Sequence, residues 1–106
     1  MKLAQAIEQW QQGARLLFGE YRSSKAETIN YRDKETRQMT QLKMLRHVVE
    51  VGSDSVMVGE RVPDNFNPAE YKSPFTRGQK VVVHIDSLLI EKGVPTCRGR
   101  VEQITG

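Results

Sequence analysis

The chain has 106 residues, enough for one domain with a modest core and too few for two independent catalytic domains. Lys and Arg number 16 against 13 Asp and Glu, a net charge of +3, and 38% of residues are hydrophobic, which is a globular composition, neither disordered nor collagenous. No apolar run approaches the ~20 residues of a membrane span, and the single cysteine, Cys97, allows no internal disulfide, so the expected setting is reducing, cytoplasmic and away from membranes.

The first predicted element is an amphipathic helix over residues 1–22. Leu3, Ile7, Trp10, Ala14, Leu17 and Tyr21 recur at steps of four and three and fall on one stripe, although Gly13 and Gly19 each cost a helix about 1 kcal/mol relative to Ala. Such a stripe packs on its own domain or docks on a partner or a second copy. Residues 22–25 read as a connector, which divides the chain into a helix and connector (1–24) and a β-barrel (25–106).

The barrel segment opens with a strand over residues 26–31 and a turn over 33–36. Residues 37–51 fit either helix or strand until the β-branched end Val48, Val49 and Val51 favours a long, bent strand entering a hairpin at Gly52-Ser53-Asp54. Val56, Val58 and Val62 continue the return strand, with a bulge expected at Gly59. Asn67-Pro68-Ala69-Glu70 has the cap chemistry of a short helix inside the long connection 63–79. Lys80 to Ile85 alternates clearly, placing Val81, Val83 and Ile85 on a core face, and a last strand runs from Thr96 to Ile104. Five strands with a short helix between the third and fourth predict a mainly β fold, a small five-stranded OB-like Greek-key barrel preceded by the helix. SH3-like and split barrels share the pattern.

Catalytic constellations are thin. No phosphate-binding loop, nucleophile elbow or zinc-protease helix occurs, and His47, His84 and Cys97 lack ligand spacing. The expectation is a protein without enzyme activity, metal or cofactor. Charge placement says more. Residues 36–49 hold Arg37, Lys43 and Arg46, residues 71–85 hold Lys72, Arg77 and Lys80, and residues 92–101 hold Lys92, Arg98 and Arg100, with no acid in any of these windows. Single-sign windows invite an anionic partner. An OB barrel binds across strands 2 and 3 and the loops joining strands 1–2 and 4–5. The first loop carries Arg32, Lys34 and Arg37, and the second carries Lys92. Lys43 and Arg46 lie on strand 2, and Arg98 and Arg100 share a face of strand 5. Tyr31, Tyr71 and Phe75 lie beside basic residues and are candidates for stacking on bases, or alternatively for anchoring loops.

The run from Lys25 to Ile104 resembles the small single-stranded-DNA-binding proteins of filamentous phages, the gene V type. The resemblance lies in Val48-Val49-Glu50-Val51-Gly52 followed by Val56-Met57-Val58, the loop Asn67-Pro68-Ala69-Glu70-Tyr71, the run Gly78 to Leu88, and Arg98-Gly99-Arg100-Val101. It implies an OB-like barrel working as a dimer that coats single-stranded DNA with little sequence preference; the N-terminal helix has no counterpart there. The expected function is binding of single-stranded nucleic acid through Tyr31, Arg32, Lys34, Arg37, Lys43, Arg46, Tyr71, Phe75, Arg77, Lys92, Arg98 and Arg100. The alternative is a protein-interaction module, such as a phage or plasmid accessory protein, that oligomerises or docks through its helix.

Overall fold

The helix ends where its first glycine stands. In a computed structural model, which describes every residue except Asp64, Lys92, Gly93 and Gly106 and only the backbone of Leu89, Ile90, Glu91, Val94 and Pro95, α1 spans Leu3–Gln11. Gly13 has φ +95°, in the left-handed region that glycine enters freely, and it turns the chain out of the helix. The predicted helix over 1–22 is therefore too long, and the barrel begins at Leu16 rather than Lys25. Leu17 and Tyr21, which helical spacing had aligned with Trp10, belong to β1 (Leu16–Arg32) and point inward, Tyr21 being 4% exposed.

The other elements are β2 (Met39–Val51), β3 (Asp54–Arg61), a 3-10 turn (Pro68–Glu70), β4 (Lys80–Glu91) and β5 (Val94–Gln103). The ambiguous stretch 37–47 is strand from Met39 onward. Two parts of the predicted cap are present in the 3-10 turn: Asn67 accepts the Ala69 N–H at 3.1 Å, and Pro68 takes the first position. Strand order is β1-β2-β3-β5-β4, closed by β4 on β1, with every pairing antiparallel except β3–β5. This is the five-stranded OB-like Greek-key barrel.

Tyr21, Val49, Val58, Val81, Val83 and Val101 form the buried centre, with Leu17, Val51, Phe75 and Ile85 packed against it. Outside the barrel, α1 buries only Ala6 and is tied down by hydrogen bonds between Met1 and the Gln103 carbonyl (2.9 Å) and between the Thr105 N–H and the Met1 carbonyl (2.8 Å). Leu3, Ile7 and Trp10 stay 41%, 42% and 58% exposed. No helix among the described residues is long and apolar enough to cross a membrane.

Closure is confined to one end of the strands. β1 pairs with β4 only through Leu16–Glu20, whereas β1–β2 pairing continues to Arg32–Met39 and β4–β5 pairing continues to Glu91–Val94. Two hairpins thus run on past the closed section, and the molecule measures 47 × 29 × 25 Å. Each bends at a register shift, between Tyr21 and Ser23 on β1 and between Ile85 and Ser87 on β4. The bulge expected at Gly59 is absent: that residue pairs in register with Arg46 on one side and Arg98 on the other.

Candidate nucleic-acid interface

Residues directly opposite in a sheet share a face, so the register sorts the side chains. Val49, Val58 and Val101 point into the barrel. On the outer face one row runs Lys25, Arg46, Gly59, Arg98 across β1, β2, β3 and β5. Flanking rows carry Glu27 opposite Met44 and Val48, Met57 and Thr96 in line; farther along the first hairpin Ile29 faces Leu42 and Tyr31 faces Thr40. Together they enclose a groove of about 320 Å³ with a floor of Ile29, Leu42, Met44 and Met57 and with Tyr31, Arg46 and Arg98 around it.

The charged side chains of the groove are held in place. Arg46 Nε lies 2.9 Å from a Glu27 carboxylate oxygen, and Lys25 Nζ lies 3.8 Å from the other. A partly exposed pair of this kind contributes at most about 1 kcal/mol to stability. Its effect here is orientation, because it engages one edge of the guanidinium and leaves the other nitrogens for a ligand. Arg98 Nη1 donates to Met44 Sδ at 3.4 Å. Tyr31, 41% exposed, presents its ring to solvent.

The structure gathers only part of the sequence-predicted site. Tyr31, Arg46 and Arg98 line one groove. Arg32, Lys34 and Arg37 are exposed at the neighbouring hairpin tip, where Asp33 accepts the Glu35 and Thr36 N–H groups at 2.8 and 3.2 Å and Arg37 has φ +59°. Lys43 does not share the face of Arg46. Three positions apart on a strand puts them on opposite sides, and Lys43 Nζ instead donates to the Phe66 carbonyl at 2.8 Å, pinning the β3–β4 connection.

Phe75 is not free to stack on a base: its ring meets Tyr21 at 5.1 Å and His47 at 6.3 Å as a lid on the core. Tyr71 packs on Phe66 at 5.8 Å with its hydroxyl buried. Arg77 is exposed in the turn before β4, apart from the groove. Arg100 pairs with Glu102 at 3.2 Å and lines a separate polar cleft with Glu60, Arg61 and Asp86. Lys92 lies outside the described residues. Sequence reasoning missed the apolar floor and Gly59. The available signal was the doublets Met44-Leu45 and Val48-Val49, since adjacent apolar residues mark a strand covered on both faces.

Inside the barrel runs a polar chain. The Tyr21 hydroxyl lies 2.7 Å from Ser73 Oγ and donates to Ser24 Oγ at 2.6 Å, and Ser24 Oγ lies 2.6 Å from His47 Nδ1. On its other side His47 Nε2 lies 3.5 Å from a Glu60 carboxylate oxygen. His47 is 1% exposed, and this chain organises the interior. On the outer face, burial and then the neighbouring Arg100 push the His84 imidazole below its ordinary value of 6.5, against the opposing pull of Glu102. Burial pushes the Cys97 thiol up, which keeps it protonated and unreactive. Among the described residues no group of three or more His, Cys, Asp or Glu is arranged to hold a metal. No family model, curated protein or solved structure matches the chain.

Proposed function

We propose that this protein binds single-stranded nucleic acid along the outer face of β1, β2, β3 and β5. The observation that carries the reading is the convergence of Tyr31, Arg46 and Arg98 on one groove with an apolar floor. Unpaired bases need apolar and flat surfaces, whereas phosphates need cations, and this groove offers both. The exposed Arg32, Lys34 and Arg37 place further cations at the hairpin tip, interleaved with Asp33 and Glu35. The resemblance to gene V-type proteins supports DNA as the ligand. A titration of fluorescently labelled oligo-dT at 50 and 200 mM salt tests the reading: binding that weakens steeply with salt is expected. Absence of binding at both concentrations overturns it.

A second reading has its own observation. The α1 stripe Leu3, Ile7 and Trp10 is exposed, and fully burying one large apolar side chain contributes about 1.5–3 kcal/mol. A protein-interaction module using that helix is the function left standing should the titration show no binding.

A further inference from the structure

The groove contains an arginine that lies along the sheet instead of standing off it. Arg98 belongs to β5 and Met44 to β2, with β3 between them, so the two residues stand two strand spacings apart across the sheet, about 10 Å, and are also offset along it. The two side chains nevertheless meet, Arg98 Nη1 at 3.4 Å from Met44 Sδ. The meeting point is above Gly59. A Cβ built there would lie 2.9 Å from Met44 Cε and 3.8 Å from Arg98 Cδ, so both side chains cross the strand at the one position without a side chain of its own. Glycine is not required by the backbone at this position, which pairs in regular register on both sides and has no positive φ. Its absent side chain is what opens the saddle.

Resting on the nucleic-acid reading above, we propose that Arg98 is the stacking platform of the groove, its guanidinium receiving the face of an unpaired nucleobase, while Arg46 takes the backbone phosphate. A guanidinium is planar and weakly hydrated and stacks on aromatic rings, which an ammonium cannot do. One edge of Arg98 rests on a thioether, a weak acceptor that fixes the group without neutralising it. Arg46 differs: a carboxylate binds its Nε and orients the remaining nitrogens as a fork suited to an anion. Tyr31 supplies a second flat surface along the same groove.

The test compares the unaltered chain with Arg98→Lys on two labelled ligands of equal length, oligo-dT and an abasic oligonucleotide, at low and moderate salt. Arg98→Lys keeps the charge and removes the plane, at an exposed strand position. Loss of one stacked base should weaken oligo-dT binding by about 5- to 150-fold, with the salt slope unchanged and abasic binding unaltered. Gly59→Ala, which fills the saddle, should reproduce this pattern in part. Full oligo-dT affinity in either variant overturns the stacking role. So does an equal loss on both ligands, which would make Arg98 a backbone contact. If the unaltered chain binds neither ligand, the nucleic-acid reading itself falls.

Discussion

On the inward face of β2, polar groups are turned back on the chain: Lys43 holds the Phe66 carbonyl, and His47 sits between Ser24 and Glu60. On the outward face of the same strand, Met44 and Arg46 hold their neighbours and still leave a groove open. Alternation alone separates these two chemistries, residue by residue, along a single segment. A strand can therefore carry a rigid interior and a ligand surface at once when the polar side chains of its inner face are turned towards groups of the fold itself.

The contrast is broken most severely at the glycines of the row and its neighbour. Gly99 faces inward, and a Cβ there would overlap the His84 carbonyl on the paired strand, so β4 and β5 would have to part. Gly99→Ala should destabilise the fold by about 3 kcal/mol or more in urea unfolding, whereas Gly59→Ala, crowding only the flexible end of Met44 and meeting Arg98 Cδ and the Cys97 carbonyl at ordinary contact distance, should cost less than about 1 kcal/mol. Next in size is Tyr21→Phe. It removes a hydroxyl placed between Ser24 and Ser73 and should lower stability by about 1–3 kcal/mol, with oligonucleotide affinity at saturating fold unchanged. The smallest effect separates the faces by salt dependence. Arg46→Gln should reduce the slope of log K against log salt by about 0.7, the contribution of one phosphate contact on a single strand. Lys43→Met should leave that slope alone and loosen the β3–β4 connection by about 1 kcal/mol, read as a shift in the urea midpoint. Equal slopes in both variants would erase the distinction between the faces.

The barrel itself was legible because alternation and β-branching agree at Val81, Val83 and Ile85, because β-branched Val48, Val49 and Val51 precede the turn at Gly52, and because the Asn67-Pro68 cap marks the connection between β3 and β4. The N-terminal boundary was not. Leu17 and Tyr21 stand four apart, a spacing that serves one helix face and one strand face equally, since four is a multiple of two and close to 3.6. Gly13 was the discriminating residue, and its cost to a helix was the clue that two elements meet there. Within the site, the cations were easy to find and hard to place. Parity along β2 separates Lys43 from Arg46 once the segment is known to be strand, but a segment that fits both periods offers no parity to read. The groove floor escaped because apolar residues in a strand are assigned to the core by default, and Met44 is as buried as the core residues it lies behind.

The seam between Leu16–Glu20 and Lys80–His84 also sets a timetable for the newborn chain. The first strand leaves the ribosome roughly 60 residues ahead of the strand that closes the barrel, an interval of about 3–12 s at ordinary rates of synthesis. Throughout that interval Leu16, Leu17 and Phe18 present an apolar strand with one open edge, the kind of surface that recruits other chains. Translation speed and chaperone access over the second half of the message thus bear directly on how much of this protein reaches its closed form.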